Sequence, residues 1–129
     1  MKTFEELHCW QKAKDLSVVL YTHFSSIEDG LFRELISQPC LEIGLNIAVG
    51  HGKSIKENIA YLVIARSAAA KLRCMLHIAK QLDYIDESTF TDYYNEALDI
   101  AKMLSGLIKA IKQKPEERKA NAKAEKVAE

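Results

Sequence analysis

Residues 62–79 read LVIARSAAAKLRCMLHIA and decide the fold. Leucine and alanine recur at positions 62, 65, 69, 72, 76 and 79, in steps of three and four, which is the period of one helix face. A second apolar set lies beside the first and consists of Tyr61, Ile64, Ala68, Met75 and Ile78. Because one intrachain bundle does not easily cover so wide a face, we expect part of this helix to form a subunit interface.

Three further segments show the same helical period. We predict helices at about 4–27, 31–49, 54–82 and from Asp86 or Ser88 to about Gln113. The connections are short, so neighbouring helices should be antiparallel. The sequence therefore predicts an all-α, up-down-up-down antiparallel four-helix bundle. No segment shows the alternating pattern of a strand.

Local signals predict where the helices begin, bend and end. Thr3 and Glu6 have the spacing of a capping box, and Ser54 is a favourable N-cap for the third helix. Pro39 should kink or split the second helix near its middle. The glycines of Gly50-His51-Gly52 suit the left-handed position beyond the end of that helix.

Composition indicates one globular domain with a polar tail. The 129 residues include 18 Lys plus Arg and 18 Asp plus Glu, so overall charge gives no reason to expect a polyanionic partner. We predict a bundle over residues 1–113 and a charged flexible tail over 114–129, either disordered or fraying helix. Three widely spaced cysteines, no signal peptide and no long apolar run predict a soluble cytoplasmic protein without a membrane partner.

Several stretches resemble a known family. The chain opens with Phe4-x-x-Leu7-x-x-Trp10-Gln11-Lys12-Ala13, then Leu16 and Tyr21. Residues 46–54, NIAVGHGKS, are similar to the family stretch NIAEGYGR, and residues 82–85 and 103–108 also fit. Over about residues 4–112 the chain resembles the bacterial four-helix-bundle family that includes proteins encoded in intervening sequences of 23S ribosomal RNA genes.

The resemblance implies a ring-forming homo-oligomer, commonly a pentamer, and no settled activity. A related branch, the accessory proteins of diversity-generating retroelements, binds a reverse transcriptase and nucleic acid through a basic surface. This chain departs from the family at Ser37 and Gln38, where basic residues are usual, and at Val49 and Lys71, where acidic residues are usual. These departures affect the surface function that the resemblance implies more than the fold.

The loop Gly52-Lys53-Ser54 has the end of a phosphate-binding motif. The full motif needs glycine where Ile47 stands and should follow a strand, so a helix-ending turn is the better interpretation. A weak anion site at these three residues stays open, because a helix N-terminus offers free N–H groups.

Nothing in the sequence marks a catalytic or metal centre. The four histidines lie outside any metal-ligand spacing, and no serine, cysteine or lysine has the neighbours of an activated nucleophile. We therefore predict no enzyme, no metal and no cofactor. A ligand binder or enzyme working around His51 and Lys53 is the weakest of three hypotheses.

Positive charge is concentrated on the third helix. The segment from Lys56 to Leu82 contains five basic residues and one acidic residue, Glu57, so its net charge is +4 in a neutral protein. Arg66, Arg73 and Lys80 are seven residues apart and share a face. In a ring, this stripe could follow a phosphate backbone. The simpler alternative is that the stripe pairs with carboxylates on the second and fourth helices. No aromatic residue interleaves the stripe in the sequence, which counts against single-strand binding.

Two principal hypotheses follow. The first is a non-enzymatic homo-oligomeric interaction or assembly protein, whose interface residues are Trp10, Tyr61, Ile64, Ala68 and Met75. The second is an adaptor that binds structured RNA or a nucleic-acid enzyme through a basic stripe. The stripe residues are Lys56, Arg66, Arg73 and Lys80.

Overall fold

Four helices pack as an antiparallel bundle, as the sequence predicts. A computed structural model describes the backbone of residues 3–128 and the side chains of residues 3–113. A 3₁₀ helix, Phe4–Glu6, precedes four α-helices: α1 His8–Phe24, α2 Gly30–His51, α3 Ile55–Gln81 and α4 Glu87–Ala128. Helices α1 and α3 each pack against both α2 and α4, so the bundle is square in cross-section.

The core is built on the α3 face that the sequence identifies. All six of its leucine and alanine positions are at most 1% exposed. The other helices bury residues at the same helical spacing: Ala13, Leu16, Leu20 and Phe24 on α1; Ile36, Ile43 and Ile47 on α2; Ala97, Ile100 and Leu104 on α4. Because three of these six positions are alanine, the neighbouring helices can approach the α3 backbone closely.

The chain begins differently from the prediction. The expected first helix from Phe4 to Ile27 is broken at Leu7, whose extended backbone (φ −73°, ψ 126°) separates the 3₁₀ helix from α1. The Thr3 side chain makes no capping hydrogen bond, so the predicted capping box is wrong. Leu7 is buried in the core, and its extended conformation lets the chain turn there before α1 begins.

Helix α2 continues through Pro39, so the prediction of a split helix is wrong. Whether the helix axis kinks at this residue stays a prediction. The glycines at its end also differ from the expectation, since no glycine in the described backbone has a positive φ. Gly50 lies inside the helix, and Gly52 has φ −88°. The left-handed residue is Asp83, at φ 58° in the loop after α3.

Three polar side chains cap the later helices. Ser54 Oγ accepts a hydrogen bond from the Glu57 N–H and donates one to its carboxylate, as expected for the start of α3. Asp86, one of the two predicted caps, accepts from the N–H of Thr89 at 2.7 Å. Asp29 caps α2 by accepting from the Phe32 N–H. These bonds satisfy backbone donors that a helix leaves free in its first turn.

Helix α4 is longer than predicted. Its backbone continues to Ala128 instead of ending near Gln113. The division into a bundle of residues 1–113 and a tail of residues 114–129 stays a prediction.

One end of the bundle is closed by the loop between α3 and α4. The Tyr84 hydroxyl donates to the Asp29 carboxylate at 2.8 Å, and its ring packs edge-on against Phe32 at 5.0 Å. Nearby, His23 lies within hydrogen-bonding distance of the Tyr84 carbonyl and the Tyr93 hydroxyl. This network joins the end of α1, the start of α2, the α3–α4 loop and the start of α4.

The Asp29 carboxyl makes stability depend on pH. Hydrogen bonds from the Phe32 N–H and the Tyr84 hydroxyl hold its pKa below the ordinary value of 3.8. A lowered pKa in the folded state adds stability above the unfolded pKa, and this is lost as pH falls through the folded pKa. We expect Asp29→Asn to lower the thermal midpoint at pH 7, and the deficit to shrink below about pH 4. Thermal unfolding across pH, with Asp92→Asn as control, checks this; a deficit that is constant with pH would contradict it.

Candidate interaction surfaces

The outer side of α2 is unusually apolar for a helix surface. Five of its large hydrophobic side chains are 45–69% exposed, namely Leu31, Leu35, Leu41, Leu45 and Val49. Among side chains of residues 87–113 of α4, no large hydrophobic residue reaches this exposure. Concentrated exposed apolar surface of this kind is typical of a protein–protein contact. The sequence predicts a subunit contact on the third helix, but α2 carries more exposed apolar surface than α3 does.

A first patch crosses from α2 to α3. The Lys71 ammonium lies 3.8 Å from the Glu42 carboxylate, so these two residues lie opposite each other on neighbouring helices. Residues seven positions away on either side share the face of these two charges. The α2–α3 patch therefore consists of Leu35, Glu42 and Val49 on α2 and Ile64, Lys71 and Ile78 on α3. Its four aliphatic side chains are 43–48% exposed.

A second patch crosses from α2 to α1. Tyr21, 71% exposed, and Leu41, 52% exposed, line one narrow crevice. Val18 and Leu45 lie one helical turn from them, and both are 62% exposed. These four residues form the α1–α2 patch. A larger crevice of about 560 Å³ beside it includes Ser37 and Gln38.

The five predicted interface residues have different environments. Ile64 is half-exposed and belongs to the α2–α3 patch. Ala68 is 1% exposed and packs in the chain's own core, so it has no surface left for a partner. Trp10, Tyr61 and Met75 are partly buried. Trp10 packs edge-on against Phe4 at 5.1 Å, so part of its ring is already used within the chain.

The loop proposed for anion binding is occupied by its own contacts. The Ser54 hydroxyl is engaged with Glu57, and the Lys53 N–H donates to the Gly50 carbonyl at 3.1 Å. The Glu57 carboxylate accepts a hydrogen bond from the Ser54 hydroxyl at 3.0 Å, and a negative charge this close repels an incoming anion, which argues against a site at Gly52, Lys53 and Ser54. Anion binding there stays an untested prediction.

The basic stripe is only partly neutralised. Lys80 pairs with Glu87 at 3.5 Å and lies 4.2 Å above the Phe90 ring. Lys80 is therefore paired with a carboxylate of α4, as the simpler interpretation of the stripe expects. Arg66 and Arg73 have no carboxylate within 4.0 Å among the residues with described side chains. Arg66 donates instead to the Ser105 hydroxyl at 3.3 Å.

Helix α4 adds positive charge that the α3 pattern alone could not show. An open groove of about 540 Å³ between α3 and α4 includes Arg66, Arg73 and Lys102. Lys102, Lys109 and Lys112 follow each other at helical spacing on the side of α4 near α3. The carboxylates of Glu96 and Asp99 lie elsewhere on α4 and face Lys12 of α1, at 3.6 and 3.9 Å.

Aromatic rings do lie beside the stripe, contrary to the sequence interpretation. His77 of α3 packs against Phe90 and Tyr94 of α4, with ring centroids 4.9 and 5.4 Å apart. His77 is exposed, Tyr94 is partly buried and Phe90 is buried. We call the line of Arg66, Arg73, His77 and Lys80 on α3 and Tyr94 and Lys102 on α4 the α3–α4 seam. The rings are contributed across helices, so the periodicity of one helix could not reveal them.

The described side chains give no sign of an activated nucleophile. Burial raises the pKa of the Cys40 thiol to about 11 and also raises that of Cys9, so both are protonated at neutral pH. No cluster of three or more His, Cys, Asp or Glu residues suitable for a metal was found in residues 3–113. In the same part of the chain, no helix combines the length and apolar character needed to cross a bilayer.

Comparison with known proteins agrees with the fold. The family model described as 23S rRNA-intervening sequence protein matches residues 5–106. A crystal structure of a protein of unknown function from the S23 ribosomal protein family of Bacteroides thetaiotaomicron VPI-5482 is similar, with a TM-score of 0.74 and 22% sequence identity. The similarity covers 78% of this chain and 98% of that chain. The comparison with curated proteins gave no match.

Proposed function

Because this chain belongs to the family of 23S rRNA-intervening sequence proteins, we propose that it is a non-enzymatic, self-assembling interaction protein of the cytoplasm. The observation that carries this proposal is the pair of exposed apolar patches on either side of α2. The occupant of each patch is a second copy of the same chain. A pentameric ring is the assembly that the family resemblance favours.

The positions of the two patches support a closed ring. In a square bundle the α1–α2 and α2–α3 faces are neighbours, so their outward directions differ by about 90°. A head-to-tail contact between two different patches closes into a ring when the directions suit the number of subunits. In a ring of four or five copies, the directions from one subunit to its two neighbours differ by about 90° or 108°. Because α2 lies between the two patches, it would face the ring axis.

The chemistry of the patches also suits self-association. Half-exposed aliphatic side chains gain roughly 25 cal/mol for each Å² of apolar surface that a partner covers. The Lys71–Glu42 pair in the middle of the α2–α3 patch gives little stability while it is exposed. Its two charges would instead restrict which partner surface fits, because a wrong charge opposite either group costs energy.

Single substitutions test the ring. We expect Leu35→Glu, in the α2–α3 patch, and Leu41→Glu, in the α1–α2 patch, each to reduce the assembly to monomers, because every head-to-tail contact contains one copy of the altered patch. Both side chains are about half-exposed, so the bundle itself should fold. The matched control is Val19→Glu, because Val19 is 45% exposed like Leu35 but lies seven residues after Lys12, on the face of α1 that pairs with α4. Sedimentation velocity measures the masses.

Mixing the two variants sharpens the test. In a head-to-tail contact, the intact α2–α3 patch of Leu41→Glu can still bind the intact α1–α2 patch of Leu35→Glu. We expect the mixture to form a heterodimer through that native contact. If Val19→Glu dissociates the assembly as strongly as the two patch variants, the proposed surface is wrong.

A second candidate function is favoured by Arg66 and Arg73, which form no ion pair with any described side chain. We propose, as the alternative, an adaptor that binds structured RNA or a nucleoprotein through Arg66, Arg73 and neighbouring cations. Among the described side chains no carboxylate lies within 4.0 Å of either guanidinium group, which leaves both groups available for phosphate. In the proposed ring, the α3–α4 face points outward, so the same surface would be repeated around the rim.

Salt dependence tests this alternative. We expect the full chain to bind a structured RNA at low salt and to lose affinity steeply as salt rises, because each phosphate contact releases counterions. The double substitution Arg66→Glu and Arg73→Glu should abolish binding, while Lys14→Glu and Lys53→Glu together should change it much less. Binding that is insensitive to salt, or equal loss in both double variants, would contradict the adaptor function.

A further inference from the structure

The α3–α4 seam combines two kinds of group that nucleic-acid binding uses. Its cationic end holds Arg66, Arg73 and Lys102 around the open groove between the helices. Its aromatic end holds His77 and Tyr94, whose rings meet edge-on, at 71°, with centroids 5.4 Å apart. The two ends are continuous, because His77 lies one helical turn beyond Arg73, a rise of about 6 Å.

The cationic end is suited to phosphate and not to an internal ion pair. Arg66 is held toward α4 by its 3.3 Å hydrogen bond to Ser105, and it retains further N–H donors. Arg73 and the exposed Lys102 have no carboxylate within 4.0 Å in the described side-chain range. The α4 carboxylates of Glu96 and Asp99 are drawn to the opposite side by Lys12.

The aromatic end is suited to a flat, uncharged ring. Phe90 is buried and packs against both rings, with its centroid 4.9 Å from that of His77 and 5.5 Å from that of Tyr94. The Lys80 ammonium lies 4.2 Å from the centroid of the Phe90 ring and borders the aromatic end on the side away from Arg73. A small inorganic anion would gain nothing from these rings, and a duplex keeps its base faces stacked inside.

We propose that the α3–α4 seam binds an unpaired segment of RNA, with phosphates at Arg66, Arg73 and Lys102 and one base stacked on the exposed His77 ring, with an edge of that base against Tyr94. This proposal rests on the adaptor function above and specifies its ligand. Loops and ends of structured RNA expose their bases for such stacking. Aromatic stacking on a basic groove is the common design of single-strand binding sites.

The test compares single-stranded and paired RNA on the full chain. The probes are a fluorescent 12-nucleotide RNA without internal pairing and the same strand annealed to its complement, measured by anisotropy at fixed salt. We expect the single strand to bind roughly tenfold more tightly than the duplex, as the loss of one stacked base would predict. Arg73→Gln should weaken both complexes.

Ring substitutions separate stacking from charge. Tyr94→Ala and His77→Ala should each weaken single-strand binding by about fivefold or more and leave duplex binding unchanged. Tyr94→Phe, which keeps the ring, should bind like the unchanged protein. His77 is exposed, so its substitution reports on binding even if Tyr94→Ala unfolds the bundle.

The outcomes distinguish the stacking proposal from the adaptor function on which it rests. Equal binding of both RNAs, with Arg73 dependence and no effect of the ring substitutions, would overturn the stacking proposal and leave the adaptor function standing. Absence of binding to either RNA at low salt would overturn both.

Discussion

Leu72→Ala is expected to lower the free energy of unfolding by about 2–5 kcal/mol. Leu72 is fully buried at the centre of the α3 face, and alanine there leaves a cavity that the surrounding helices can fill only in part. Domains of this size have about 5–15 kcal/mol of stability, so one such substitution removes a large share.

Chemical denaturation at one fixed protein concentration measures this loss, because assembly would add a concentration-dependent term to the stability. Val63→Ala on the same helix is the control. Val63 is 37% exposed, and its truncation should cost less than about 1 kcal/mol. Equal effects of the two substitutions would contradict the assignment of Leu72 to the core.

Gly50→Ala and Gly106→Ala are expected to change stability in opposite directions. A Cβ at Gly50 would lie 2.6 Å from the Tyr61 Cβ and 3.1 Å from the Asn58 Oδ1, so α2 and α3 would have to move apart. We expect a net loss of about 1–3 kcal/mol from this overpacking. A Cβ at Gly106 of α4 would meet no atom within 4 Å.

Alanine at Gly106 should therefore stabilise the protein by up to about 1 kcal/mol, through helix propensity alone. Thermal and denaturant unfolding of both variants checks the signs. Stabilisation by both substitutions would mean that the close approach of α2 and α3 at Gly50 is absent. The contact also gives a physical reason for the glycine in the stretch NIAVG: it lets the two helices meet before the loop at Gly52.

The buried positions of this protein can be predicted from sequence because the apolar pattern within each single helix determines which of its residues face the core. Leu62, Leu72 and Leu76 repeat at the helical period, and burial follows from that period alone. Local signals were less dependable. Ser54 caps α3 as expected, whereas the Thr3 side chain makes no capping hydrogen bond, and the extended Leu7 separates the 3₁₀ helix from α1.

The surfaces could be predicted only in part because they are formed between helices. Arg66 and Arg73 were visible as a stripe on one helix, but their proximity to Lys102 depends on how α3 and α4 pack. The same is true of His77 and Tyr94. On α2, Ile36, Ile43 and Ile47 repeat at the helical period and are buried, whereas Leu35 is 45% exposed and belongs to the α2–α3 patch.

The two proposed surfaces do not compete. The patches beside α2 lie on the α1–α2 and α2–α3 faces, whereas the seam lies on the α3–α4 face. A ring built through α2 would therefore leave every copy of the seam accessible. Failure of RNA binding would remove the adaptor function without affecting assembly, and disruption of assembly should lower RNA affinity only by reducing the number of linked seams.

The mass of the full chain over a concentration series tests assembly most directly. Light scattering or sedimentation equilibrium from about one to one hundred micromolar is sufficient, since a stable ring persists through this range. The account predicts a discrete multiple of 14.6 kDa, with five copies as the expected number. A species of 14.6 kDa at every concentration would contradict the claim that the exposed apolar surface around α2 is where copies of this protein meet.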